Sequence, residues 1–216
     1  SATDPSSALG KLARATAHSA TWLTAFHNQQ NTDTSKYSTG DYIWPDSDFN
    51  SLTDFAKNAQ SQMRFAAIYS EVEDWASNPP TSATASSRDI DLDGAPEYLL
   101  TNSRIFALFE STGGRLTAAW AREPSSGKVF QLVGNFLSYS GSETEFEGDT
   151  NNLGSAINAR RTSGFKDWFA VGPDSNRYVN DSYSVSAASG AGWTFLSSDG
   201  LVSKTIRLAD DATTLV

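Results

Sequence analysis

The sequence has no cysteine, only two histidines, and no apolar run of the roughly 18 residues that a membrane-spanning helix needs. Without cysteine there is no disulfide framework, cysteine-based zinc site or thiol nucleophile. His18 and His27 do not share a helix face as metal ligands at i and i+4 do, so we interpret both as packing or capping residues. The motifs G-x-S-x-G, G-x-G-x-x-G and the P-loop are also absent, which removes support for a serine hydrolase or a nucleotide-binding site.

Basic residues are few. Sixteen Lys and Arg stand against 25 Asp and Glu, giving a net charge of −9, which argues against nucleic acid or an anionic membrane as partner. Hydrophobic residues make up 38% and aromatic residues 12% of the 216 positions, enough for a core and too many for a chain disordered throughout. The six tryptophans could stack on sugar rings or fill the core.

The first third of the chain is predicted to be helical. Apolar residues recur at steps of three and four after Asp4-Pro5 and as far as Phe26, which indicates one amphipathic helix. A loop over 31–47 carries Tyr42 and Trp44. A second helix is predicted from Asp48 to about Ser77, with two apolar stripes that need neighbours on two sides.

Beyond this point the pattern changes to short strands separated by turn residues. Residues 78–88, with Pro79-Pro80, are predicted to be a linker. We expect an α+β fold with a helical subdomain at 1–77 and an antiparallel β-sandwich domain at 89–216. The last four residues resemble the start of another strand, so we expect a sandwich that is incomplete at its C-terminal end. The predicted strands are Glu97–Asn102, Arg104–Glu110, Arg115–Arg122, Lys128–Tyr139, Tyr178–Ala187, Gly192–Ser197 and Val202–Leu208.

The sharpest local motif is acidic. Asp89, Asp91 and Asp93 alternate before Gly94, a pattern in which oxygen ligands can wrap a hard cation. Leu100 stands where an EF-hand requires glutamate, so that motif fails, but Glu97 could supply a further oxygen. The sequence makes these four acids the candidate ligands of Ca²⁺; the alternative is a solvated entry to the strand at Tyr98.

Other polar groups point to carbohydrate. Asn158, Arg160, Arg161 and Trp168 offer hydrogen bonds and a stacking face within a long irregular segment. Equally, the arginines could pair with the acidic loop at 143–149. Two groups of acids could supply the pair of catalytic carboxylates that glycoside hydrolysis needs: the acids of loop 143–149 and those of the second helix. The helix acids Glu71, Glu73 and Asp74 are expected to form its polar face.

Several of these segments together resemble a known family, over most of residues 10–210. They resemble the helices and the β-sandwich that follow the catalytic barrel in glycoside hydrolase family 57, which comprises amylases, branching enzymes and 4-α-glucanotransferases. The segments are Ala17 to His27, Asp91-Leu92-Asp93-Gly94, Glu97 to Leu100 with Asn102, Phe109, Gly113-Gly114-Arg115-Leu116, Ala159-Arg160-Arg161, and Asp199-Gly200 with Lys204-Thr205.

The resemblance implies a galactose mutarotase-like super-sandwich next to a catalytic barrel domain or chain. It implies no catalytic residue here, because the family's nucleophile and acid lie on the barrel. The expected function is therefore a noncatalytic portion of a secreted or periplasmic starch-type enzyme, which binds α-glucan through Tyr42, Trp44, Asn158, Arg160, Arg161 and Trp168. The alternatives are a stand-alone polysaccharide-acting enzyme that uses loop 143–149, and a structural module that docks on another chain.

Overall fold

The computed structural model describes residues 6–26, 54–91, 94–134, 164–165, 167, 178 and 181–216, with the helix side chains at 22–26 and 54–61 outside the description. These residues form an α+β fold, as predicted. The elements are α1 (Ala8–Phe26), α2 (Asp54–Ser77), β1 (Thr84–Arg88), β2 (Glu97–Thr101), β3 (Ile105–Phe109), β4 (Leu116–Arg122), β5 (Val129–Val133), β6 (Tyr183–Ala188), β7 (Gly192–Ser197) and β8 (Ser203–Arg207).

Local sequence features mark the start of α1 and the end of α2. The Ser7 Oγ accepts the N–H of Gly10 at 2.9 Å and caps the start of α1. The helix therefore begins at Ala8, later than the Asp4-Pro5 start that we expected. α2 ends at Ser77, ahead of Pro79-Pro80, as predicted. Neither helix, within the part of the chain that the structure describes, combines the length and apolar character needed to cross a membrane.

The strands form two antiparallel sheets. Five strands follow one another in the order β1-β2-β3-β4-β5, and three in the order β6-β7-β8. The strand at Thr84–Arg88 corrects the predicted linker, because this segment pairs along its whole length with β2. Its sequence, TASSR, has no apolar alternation. An edge strand is held by main-chain hydrogen bonds and needs little burial, so periodicity does not reveal it.

Side chains on opposite faces of the five-stranded sheet enter two different cores. One face packs against the helices, with Phe106 and Trp120 from the sheet against Ile68 and Trp75 of α2. The other face packs against the three-stranded sheet, where Phe109 meets Phe195. The described residues therefore form three layers: the helices, the five-stranded sheet and the three-stranded sheet.

Two indole N–H groups form hydrogen bonds from the helices and from the three-stranded sheet to the five-stranded sheet between them. Trp75 Nε1 donates to the carbonyl of Asn102 at 2.8 Å, and Trp193 Nε1 donates to the carbonyl of Leu99 at 2.9 Å. Trp75, Trp120 and Trp193 are buried, so for these three the core interpretation of tryptophan is confirmed.

The end of the chain folds back against the outer sheet through an isolated bridge and does not form the further strand that the sequence predicted. Leu215 forms an antiparallel bridge with Leu208. Arg207 and Val216 exchange two main-chain hydrogen bonds of 2.6 and 3.0 Å. These contacts attach the last two residues to the end of β8.

Candidate metal centre

The acidic motif lies in the connection between two antiparallel strands. Arg88 at the end of β1 and Glu97 at the start of β2 are directly opposite each other, so the connection between them returns to the same end of the sheet. Gly94 has a φ of 93°, which favours glycine. Its N–H donates to Asp89 Oδ2 at 3.1 Å and closes the turn.

Three of the four predicted ligands converge in this connection. One oxygen atom from each of Asp89, Asp91 and Glu97 lies within 4.8 Å of the other two. Asp91 and Glu97 are buried, whereas Asp89 is exposed. Asp93, the fourth predicted ligand, lies outside the described residues. The three carboxylates thus form a cluster that is exposed at Asp89 and buried at the other two acids.

Main-chain donors hold the innermost carboxylate. Glu97 Oε2 accepts the N–H of Ile90 at 2.5 Å and that of Asp91 at 3.3 Å. Burial and the negative charge of Asp91 nevertheless raise the pKa of Glu97 to about 8. A cation also lies near the cluster, since Arg64 Nη1 is 3.9 Å from Asp91 Oδ2. The two main-chain N–H groups therefore do not fully offset the burial of Glu97 and the negative charge around it.

A further acid adds to this charge. The pairing of Tyr98 with Phe109 brings the next residue, Glu110, beside Glu97, and its charge also raises the pKa of Glu97. Glu110 is buried, and its Oε2 accepts no hydrogen bond from the described residues, although Arg115 Nη2 lies 3.6 Å away.

The oxygen separations suit a calcium ion. Calcium binds carboxylate oxygens at about 2.3–2.6 Å, so ligand oxygens around it are up to about 5 Å apart. The separations within 4.8 Å found for Asp89, Asp91 and Glu97 meet this limit. Main-chain and water oxygens would complete such a coordination shell.

The residues predicted to bind carbohydrate lie outside the described residues: Tyr42, Trp44, Asn158, Arg160, Arg161 and Trp168. The acidic loop at 143–149 does so too. Their roles stay predictions.

A second charged cluster was not predicted. Lys204 Nζ donates to Asp167 Oδ2 at 2.5 Å, to the Phe165 carbonyl at 2.7 Å and to the Gly113 carbonyl at 2.9 Å. Tyr183 donates its hydroxyl to Asp167 Oδ2 at 2.8 Å. Burial lowers the pKa of Lys204, against the opposing effect of Asp167. The three N–H donors of the ammonium are all used on protein oxygens. This cluster therefore joins β8 to Phe165 and Asp167 and leaves no donor for a ligand.

Burial also corrects one helix acid. Glu73 was expected on the polar face of α2, but it is buried. Glu71 and Asp74 are half-buried, and Glu71 pairs with Arg88 of β1. The spacing of residues along the helix does not reveal the burial of Glu73. Which side of the helix is covered depends on the elements that pack against it in the tertiary structure.

No family model matches this chain, and the searches of curated proteins and of solved structures find no match either.

Proposed function

We propose that this chain is the noncatalytic C-terminal portion of an α-glucan-active, starch-type glycoside hydrolase. In this proposal it supports the catalytic barrel, contributes to carbohydrate binding, and is stabilised by a calcium ion held by Asp89, Asp91 and Glu97, with Asp93. The convergence of those three carboxylates carries the proposal. They belong to the same stretch whose residues resemble the sandwich of family 57.

The position of the carboxylates favours ion binding over hydrolysis. The two carboxyl groups of a glycosidase flank a sugar bond, about 5–5.5 Å apart in retaining enzymes and about 6.5–9.5 Å apart in inverting enzymes. Here three oxygens lie within 4.8 Å, and Asp91 and Glu97 are buried. A polysaccharide chain cannot pass between them, whereas a small cation can.

The layered architecture supports the rest of the proposal. Two antiparallel sheets share one core, which is compatible with a galactose mutarotase-like super-sandwich. The helices cover the opposite face of the larger sheet. We extend the proposal to a secreted or periplasmic location, where calcium is available to such a site.

Affinity electrophoresis in native gels tests the carbohydrate part. We expect soluble starch, but not dextran, to retard the protein, and Trp44→Ala or Trp168→Ala to reduce the retardation. Equal mobility with and without starch would contradict glucan binding. Turnover of starch by the isolated chain would contradict a noncatalytic role, and its loss in Glu145→Gln or Glu147→Gln would favour the stand-alone enzyme.

A further inference from the structure

β5 is the last strand of the five-stranded sheet, and only one of its two edges is paired. Its inner edge pairs with β4, where Arg122 is opposite Val129 and Trp120 is opposite Gln131. Within the described residues no strand and no other main-chain segment pairs with the outer edge. This edge therefore presents main-chain N–H and C=O groups with which a strand from another molecule can pair.

Exposed apolar side chains set β5 apart from the other sheet edges. Phe130 is 53% exposed and Leu132 is 58% exposed. Both lie on the sheet face away from the helices, since Ala121, which is opposite Phe130, packs against the core between the two sheets. The other edge strands of the two described sheets, β1, β6 and β8, expose no large apolar side chain. Polar and charged residues normally protect an edge from pairing, so β5 has the composition of an edge that another strand covers.

On the helix side, a groove of about 630 Å³ runs along the same strand. Residues 127–131 all line it, and so do Leu9 and Leu12 of α1. A strand added to the edge would direct alternate side chains toward this groove and the remaining ones beside Phe130 and Leu132. Both faces of an added strand would thus meet apolar surface.

A buried carboxylate gives this groove a preference for positive charge. Glu73 lines the groove and is 5% exposed, and its Oε1 accepts one hydrogen bond, from Ser77 Oγ at 3.3 Å. Among the described residues no cation lies within ion-pair distance of it. Lys128, the other charged residue of the groove, is exposed to solvent. A guanidinium or ammonium entering the groove would compensate the carboxylate.

We propose that the outer edge of β5 binds an extended segment of another protein by strand addition. The segment forms main-chain hydrogen bonds with β5, its apolar side chains cover Phe130 and Leu132, and an Arg or Lys on its other face reaches Glu73. A net charge of −9 also favours a basic partner over a second copy of this chain. The β5 sequence, VFQLV, has no basic residue, so a second copy would not supply the positive charge.

Fluorescence anisotropy with a labelled heptapeptide, Thr-Val-Arg-Val-Leu-Val-Thr, tests this proposal. In an extended strand the valines of the peptide face one side and its Arg faces the other. We expect this parent peptide to bind. The same peptide with Glu in place of Arg should bind about tenfold more weakly, because it loses the charge-assisted hydrogen bond to Glu73.

Two N-methylated peptides test the main-chain hydrogen bonds. The N–H groups of successive residues in a strand point to opposite edges. Methyl groups on the valine nitrogens therefore block one edge of the peptide, and methyl groups on the other nitrogens block the opposite edge. We expect one of these peptides to bind about tenfold more weakly than the parent peptide and the other to bind like it.

Protein variants locate the site. Glu73→Gln should bind the Arg and Glu peptides with similar affinity. Glu123→Gln should keep the preference for Arg, because Glu123 is exposed and does not line the groove. Phe130→Thr should weaken binding of the parent peptide about threefold to fivefold. Leu201→Thr, which changes a 77% exposed residue away from this edge, should leave it unchanged, and thermal melting checks that each variant folds.

Three outcomes would contradict the proposal. Equal affinity of the two N-methylated peptides, or no binding of the parent peptide, would overturn strand addition. Sedimentation of wild-type protein as a dimer that Phe130→Thr dissociates would show that a second copy covers the edge. An unchanged preference for Arg in Glu73→Gln would overturn the assigned position of the basic residue. The starch gel tests glucan binding independently, so either proposal can fail without the other.

Discussion

The carboxylate of Glu97 accepts the main-chain N–H of Ile90 at 2.5 Å, across the loop that joins β1 to β2. The side chain of Ile90 is buried in the core between the helices and the five-stranded sheet. The loop that gathers the acidic ligands is thus part of the helix-side core. An ion bound there would be coupled to folding, because anything that binds only the folded state stabilises it.

The first prediction concerns pH. In EDTA-treated protein the free energy of unfolding should fall as the pH rises from about 4.5 to about 8, because folded Glu97 keeps a proton that the unfolded chain releases. The contribution of Glu97 is at most about 1.4 kcal/mol per pH unit, for one proton. Below this range both states are protonated at Glu97, and above it both are ionised. Urea denaturation at several pH values measures the slope.

Glu97→Gln is the control for this slope. The variant lacks this titration, so between pH 4.5 and about 8 its free energy of unfolding should fall less steeply than that of the wild type. A variant with the wild-type slope would show that Glu97 does not titrate in this range.

The second prediction concerns the Lys204 cluster. Lys204→Met should lower the free energy of unfolding by about 2–3 kcal/mol, because it removes a charged donor from three protein oxygens. Lys11→Met, on the exposed side of α1, should change it by less than about 0.5 kcal/mol. Urea denaturation compares the two variants. Equal effects would mean that the Lys204 contacts contribute nothing.

The third prediction concerns a fully buried amide. Asn102 Nδ2 donates to the carbonyls of Ala209 and Ala212 at 2.7 and 2.9 Å, and its Oδ1 accepts two main-chain N–H groups near the start of β3, both at 2.8 Å. Asn102→Asp would place a carboxylate against both carbonyls and should cost about 3 kcal/mol or more.

Thermal melting compares this variant with Asn78→Asp, where the side chain is exposed. Asn78→Asp should melt close to wild type. A small effect at Asn102 would mean that the chain after β8 is not anchored by this amide.

Most of the fold follows from local sequence patterns. The β3–β4 turn was predicted because Gly113-Gly114 separates two apolar runs, and both glycines have positive φ. The strand β1 was missed because its exposed edge has no apolar signature. The end of α2 before Pro79 was predicted well. The start of α1 was predicted less well, because Ser7 is one of several residues in a polar stretch that could cap the helix.

The site was predictable to the extent that it is local. Asp89, Asp91 and Glu97 lie within one hairpin connection, so their spacing indicated a shared ligand set. The contact between Lys204 and Asp167 spans 37 residues, and no spacing rule links them. Glu73 could not be assigned either, because its burial depends on the neighbouring α1 and β5.

The most direct test of the calcium centre is calorimetric titration of Ca²⁺ into EDTA-treated, desalted protein, alongside Asp91→Asn and Asp211→Asn. Asp91 is a proposed ligand, whereas Asp211 is exposed and outside the cluster. We expect one calcium ion per chain, an affinity at least tenfold weaker in Asp91→Asn, and wild-type affinity in Asp211→Asn. Absence of heat with wild-type protein and an unchanged melting temperature on adding Ca²⁺ would contradict a calcium-stabilised module.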